Sequence, residues 1–208
     1  MQRSEHESNE YPFYAMLDRM QYINRWGLMR NNRTENLKEH SMDVAVVAHA
    51  LAIIRNRICL DGRNEVDPSY VMGAALLHDA SEIITGDLPT PIKYFNPEIT
   101  QAYKDIEGKA NDKLLSLLPE EMRGEYRKLM FQDASDPDEA EAHRLVKAAD
   151  RICAYIKCIT EESSGNREFT PAKESILESI RKIDYPEVAY FMEHFVPAYG
   201  QTLDQISE

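Results

Sequence analysis

The sequence is poor in cysteine, in positive charge and in long apolar runs, and each shortage excludes a class of protein. Its three cysteines, Cys59, Cys153 and Cys158, are odd in number and lack C-x-x-C spacing. That pattern excludes a disulfide framework and a thiolate metal cluster and leaves reduced, buried thiols. Lys and Arg total 24 against 36 Asp and Glu, a formal charge of −12. Nonspecific binding to nucleic acid or an anionic membrane needs a basic field, so neither partner is expected. A small phosphorylated ligand in a locally positive pocket stays compatible with this balance. No stretch of about 18 apolar residues is present to span a bilayer. The opening "MQRSEHESNEYPFY" lacks the apolar centre of a signal peptide. The expected location is therefore cytoplasmic. With only 8 Gly and 10 Pro the chain is not of low complexity, and no internal repeat is found. The length of 208 residues suits one domain, expected over residues 11–208 after a flexible segment 1–10.

What is present is helical spacing almost throughout. "FYAMLDRMQYI" places Phe13, Met16, Leu17, Met20 and Ile23 on one helical face. "NRWGLMRNNRTEN" interrupts it as a loop. Asn36, with Glu39 three residues on, is a capping-box start for the helix that follows. Asp67-Pro68 starts another, Asp as cap and Pro at the first turn. That helix is expected to run through His78 and Asp79 to stop near Gly86. "GDLPTPIKYFNPE" reads as a structured loop. Further helices are expected over "ITQAYKDIEGKANDKLLSLL", over "EEMRGEYRKLMFQD", from Asp136-Pro137 to "SSGN", and over 170–182. A last one is divided or kinked at Pro197. No period-2 alternation is convincing, so the fold class is all-α, a compact helical bundle.

Within this pattern four side chains sit where a core should continue: His40, the adjacent pair His78 and Asp79, and Asp150. An unpaired buried carboxylate costs several kcal/mol or is forced to protonate. Two imidazoles and two carboxylates form an N/O ligand set for one divalent transition metal, and such an ion offsets that cost. The ligands are expected to come from three helices, leaving coordination places for water and a substrate oxygen. Glu82 lies one helical turn beyond His78, on the same face, and reaches the rim of such a site. The other histidines do not join it. His49 falls on the opposite side of its helix from His40, and His143 is two turns from Asp150. His6 and His194 have no helical partner suggesting chemistry.

The ordered H…HD…D pattern resembles the HD-domain metal-dependent phosphohydrolases. "INRWGLMRNNRTENLKEHS", "LLHDASEIITGDLPTPIKYFN", "LVKAADRICAYIKC" and "YFMEHFVPAY" are similar, within that superfamily, to the bacterial 5′-deoxynucleotidases. The resemblance spans nearly the whole chain. It implies metal ligands at His40, His78, Asp79 and Asp150, and a phosphate-orienting Arg25 with Trp26 beside it at the sugar. It implies a catalytic Glu82 and a substrate loop at Asp87, Leu88, Pro89 and Thr90. His40, Asp79 and Asp150 then also face substrate, and Asp87 either bonds the sugar or protonates the leaving oxygen. It further implies a cytoplasmic homodimer using one Co²⁺, Mn²⁺ or Cu²⁺ on deoxyribonucleoside 5′-monophosphates. The chain departs from the usual pattern at Leu37-Lys38, which is expected to affect only an exposed turn. A triphosphate or cyclic-diester hydrolase is the nearest alternative, disfavoured by the short chain. A non-catalytic nucleotide sensor is disfavoured because every ligand and Glu82 are kept.

Overall fold

The structure is a computed structural model that describes residues 10–131 and 136–207. The segment expected to be flexible, and His6 within it, lies outside these residues apart from Glu10. Among the described residues the chain is helical, with no strand beyond an isolated antiparallel bridge between Asn24 and Asn36. In order the helices are α1 (Phe13–Leu17), α2 (Leu37–Arg57), α3 (Pro68–Leu77), α4 (Glu82–Thr85), α5 (Thr90–Lys93) and α6 (Pro97–Leu115). Then come α7 (Glu120–Met130), α8 (Pro137–Ser163), α9 (Thr170–Arg181), α10 (Pro186–His194) and α11 (Leu203–Ser207).

Local chemistry sets the starts. Asn36 accepts from Glu39 N at 2.9 Å while the Glu39 side chain reaches back to Asn36 N, a complete capping box for α2. Asp67 caps α3 through Ser69 N at 2.8 Å, and Asp136 caps α8 through Asp138 N at 2.9 Å. Pro68 and Pro137 follow these caps in the first turn, where a missing N–H costs nothing.

Helix α2 is the spine and packs against α3, α8 and α10. Small side chains let the helices approach: Ala45, Ala48 and Ala52 on α2 share a core with Ala74, Ala75, Ala148 and Ala149. A second cluster joins Phe13 and Leu77 to Leu114, Leu118 and Met130.

The structure corrects four expectations. The helix from Pro68 does not continue to Gly86; α3 stops at Leu77. His78 Nδ1 donates to the Ala75 carbonyl at 2.7 Å, and the next turns close by tighter bonds, Ala80 N to Leu77 O and Glu82 N to Asp79 O. The histidine ring competes for a helix carbonyl, and the chain winds more tightly through the pair. Leu37 is not on an exposed turn but 0% exposed in the core, while Lys38 alone faces out and pairs with Asp18 at 2.6 Å. The first helical run divides into α1 and a 3₁₀ turn over Asp18–Tyr22. The 86–98 loop contains the short α5, begun by Thr90-Pro91. As expected, the last run divides beside Pro197, with α10 ending before a 3₁₀ turn over Val196–Gly200.

Candidate active site

The site is assembled at the N-terminal end of α2. His40 enters from the first turn of that helix, 1% exposed. Asp150 enters from the middle of α8. His78 and Asp79 come from the tight turn after α3, so two helices and a turn supply the four residues rather than three helices. His40 Nε2 lies 3.1 Å from Asp150 Oδ1 and 3.8 Å from Asp79 Oδ2. His78 Nε2 lies 3.1 Å from Asp79 Oδ2. One donor atom each from His40, His78 and Asp150 falls within a mutual 4.8 Å.

The donor atoms test whether an ion fits. His40 Nε2 and His78 Nε2 are both buried and lack a hydrogen-bond partner among the described residues. A buried polar atom left unpaired costs about 1–3 kcal/mol, so converging orphans need an explanation. His78 donates from Nδ1 to a carbonyl, so its neutral ring presents a lone pair at Nε2. Two inward imidazole nitrogens and two carboxylates fit a divalent transition ion.

Electrostatics without an ion point the same way. Burial works against ionised Asp79, but His78, His40 and Arg25 outweigh it and hold the carboxyl below its usual range. Burial likewise opposes ionised Asp150, and the adjacent His40, 3.1 Å away, together with His78 lowers it. Burial disfavours protonated His78, yet the Asp79 carboxylate raises it to about 9. Without an ion, the His78 ring and the Arg25 guanidinium thus supply positive charge that the carboxylates require.

Arg25 is positioned by the 23–36 loop. Arg25 N donates to Glu35 O at 2.9 Å and Leu37 N to Ile23 O at 2.8 Å, which closes the loop at its base. Arg25 Nη1 lies 3.3 Å from Asp79, Nη2 lies 3.9 Å from Asp150, and Nε donates to Glu35 at 3.0 Å. Trp26 follows in the left-handed region at φ 59°, an uncommon conformation for a bulky residue, with its ring 5.4 Å from that of Phe169. The loop is tied to α8 by Glu161, which accepts from Asn32 N at 2.9 Å and Arg33 N at 3.1 Å.

A cleft of about 480 Å³ opens beside the cluster, a volume suited to a small-molecule ligand. Arg25, Trp26 and Asp150 line it together with Asp87, Leu88, Pro89 and Thr90. Ala172 and Ile176 of α9 add an apolar surface. Glu82 is buried, and its Oε2 lacks a partner among the described residues. Burial first, then the charges of Asp79 and Asp87, push its carboxyl up to about 8. A carboxyl titrating near neutrality is suited to proton transfer. His40, His78, Asp79 and Asp150 thus converge, Arg25, Trp26, Asp87, Leu88, Pro89 and Thr90 line the cleft, and Glu82 lies within the charge influence of Asp79 and Asp87. Glu35, Glu161 and Phe169 were missed; their burial comes from docking of a polar loop, which leaves no periodic signal. His49 and His143 stand outside the converging atoms, and burial lowers the His143 pKa.

Comparison with known proteins agrees with this geometry. The family model described as 5′-deoxynucleotidase YfbR-like matches residues 12–199. A 5′-deoxynucleotidase of Vibrio cholerae is 48% identical over 198 residues, covering 95% of this chain and 99% of its own. Another from Cronobacter sakazakii is 47% identical over 196 residues, covering 94% and 96%. Among solved structures, an HD-domain phosphohydrolase of Listeria innocua superposes with a TM-score of 0.74 at 22% identity, covering 90% of this chain and 87% of its own. The cyanophage S-2L HD phosphohydrolase, bound to dA and one catalytic Zn²⁺, gives a TM-score of 0.61 at 20% identity, covering 95% and 99%. The structural likenesses establish the fold, the HD-domain helical bundle, and the sequence matches go further: the chain belongs to the YfbR-like 5′-deoxynucleotidase family.

Proposed function

We propose that the chain is a metal-dependent phosphatase that hydrolyses 2′-deoxyribonucleoside 5′-monophosphates to deoxynucleoside and phosphate. The observation that carries this reading is the pair of orphaned imidazole nitrogens among two carboxylates, beside Arg25 at the end of a cleft. His40, His78, Asp79 and Asp150 hold one divalent ion. When bound, that ion acts as a Lewis acid towards phosphate and makes water easier to deprotonate.

The chain's own residues do the rest. Arg25 presents a planar fork of donors, and its buried charge steadies the phosphate as negative charge shifts during in-line displacement. Burial weakens that charge, but Asp150, Asp79, Glu35 and Asp87 more than offset this and raise its pKa. Glu82 takes the proton from the attacking water as the new P–O bond forms and the bond to the 5′ oxygen breaks. Asp87, which lines the same cleft, either protonates that leaving oxygen or bonds the sugar. If it is the acid, Asp87→Asn lowers kcat for dAMP and leaves KM unchanged; if it bonds the sugar, the loss falls mainly on KM. Leu88, Pro89 and Thr90 form the substrate wall, and His40, Asp79 and Asp150 also border the phosphate.

Trp26, which lines the cleft with its ring 5.4 Å from that of Phe169, is assigned the selection of the deoxy sugar by crowding a 2′-hydroxyl. In the finer reading the ion is Co²⁺, Mn²⁺ or Cu²⁺, residues 11–208 form one domain, and the enzyme is a cytoplasmic homodimer. Among the described residues no helix is long and apolar enough to cross a membrane.

The test is phosphate release from dAMP and AMP by metal-stripped protein before and after adding Co²⁺ or Mn²⁺. Release from dAMP alone, only with metal, is the expected result. Equal release from AMP removes the sugar selectivity, and Trp26→Ala is expected to produce that equality. Release from neither, with metal bound, overturns the phosphatase.

A further inference from the structure

One carboxylate outside the ligand set touches two members of the site at once. Glu35 stands immediately before the α2 cap, and its side chain is 16% exposed. Its Oε1 accepts from Arg25 Nε at 3.0 Å and lies 3.4 Å from His40 Nδ1. Each of those partners shows its opposite edge to the cluster. Arg25 turns Nη1 and Nη2 towards Asp79 and Asp150, and His40 turns Nε2 towards Asp150.

The chemistry of the two partners gives this placement its meaning. A neutral imidazole carries one proton, and a carboxylate at Nδ1 holds it there, leaving the Nε2 lone pair directed inward. A guanidinium is planar, so fixing Nε fixes the direction of both terminal nitrogens. A backbone anchor would not do this: Glu35 O also accepts from Arg25 N at 2.9 Å, but that bond sets only where the side chain starts.

We propose that Glu35 is a positioning residue, in which one carboxylate oxygen sets both the His40 tautomer presented to the ion and the Arg25 orientation presented to the phosphate. The proposal rests on the metal and phosphate reading of the cluster given above. It makes ion binding and phosphate binding fail together when one side chain is changed.

The experiment compares wild type, Glu35→Gln and Glu35→Ala. Metal-free protein is titrated with Co²⁺, followed by the visible absorption of the bound ion. The kcat and KM for dAMP are then measured at saturating Co²⁺, and thermal midpoints are recorded. Glu35→Ala is expected to weaken Co²⁺ binding by roughly 10- to 100-fold, the range for residues that orient a ligand. It is also expected to raise KM for dAMP with the ion site filled. Glu35→Gln keeps the shape and an acceptor oxygen, so it folds and recovers part of both losses. Unchanged Co²⁺ affinity, KM and kcat with only a lower thermal midpoint overturn the proposal, as does loss of one function without the other. Wild type that binds no Co²⁺ overturns the metal reading itself, and the proposal with it.

Discussion

Helix α2 carries buried charge at both ends, and the two ends handle it differently. In its last turn Arg55 is buried beside Glu187, which is 0% exposed. There every charge finds protein. Arg63 grips Glu187 with two bonds of 3.2 and 2.8 Å, and Arg55 bonds Glu141 and the Asn64 carbonyl. Asn56 closes a two-way bond with the Val66 backbone. Around the first turn, by contrast, His40 Nε2 of α2 and His78 Nε2 and Glu82 Oε2 from the segment after α3 are buried without partners among the described residues. A polar group buried by folding alone is normally satisfied by folding alone. The unsatisfied end is the one built for something that arrives later.

The comparison can be broken by exchanging the expected phenotypes. Glu82→Gln is expected to lower kcat by about 10²–10⁴-fold, the usual worth of a general base, while Co²⁺ affinity holds. Near-wild-type turnover with metal bound excludes Glu82 as the base. At the far end Glu187→Gln removes the carboxylate that Arg63 grips, while Arg55 keeps Glu141, and is expected to cost about 1–3 kcal/mol in denaturant unfolding. Its turnover per folded molecule should match wild type. A loss of turnover there shows that the two ends are not independent.

Metal sharpens the contrast further. A ligand that binds only the folded state stabilises it, by about 2.7 kcal/mol at a hundred times its Kd. Co²⁺ at that excess is expected to raise the wild-type unfolding midpoint and to leave Asp150→Ala unmoved. Glu187→Gln should gain as much from Co²⁺ as wild type does. An equal gain in Asp150→Ala places the ion elsewhere.

The contrast also explains what could be read before the fold was known. The starts of α2, α3 and α8 were legible because Asn36-Glu39, Asp67-Pro68 and Asp136-Pro137 act within a few residues. The four clustered residues, His40, His78, Asp79 and Asp150, were legible because they interrupt apolar helical runs. The end of α3 at Leu77 was not, because it follows from the His78 ring taking a carbonyl that the backbone would otherwise use. Burial of Leu37 and Glu161 was not legible either. Glu161 is covered by the return of a polar loop onto α8, a contact between segments more than a hundred residues apart.

Glu161 joins the two kinds of end. It is 1% exposed and fully partnered, like the far cluster, yet what it holds is the loop that carries Arg25 and Trp26. Burial works against its charge, but bonds from Lys157, Asn166, Asn32 N and Arg33 N outweigh this and lower its pKa from 4.5 to about 2. A depressed carboxyl pKa stabilises the fold above the unfolded value and loses that stabilisation as pH falls through the folded one. The advantage of wild type over Glu161→Gln should therefore be complete above pH 4.5 and fade towards about pH 2. At neutral pH the substitution is expected to cost about 1–3 kcal/mol, the worth of bonds to a buried charge. Because those bonds end on the loop, KM for dAMP should rise as well. A pH-independent difference in unfolding free energy means that shape, not charge, holds the loop. An unchanged KM means that Arg25 keeps its place without this anchor, and that the front end, like the far one, is held by its own ion pairs.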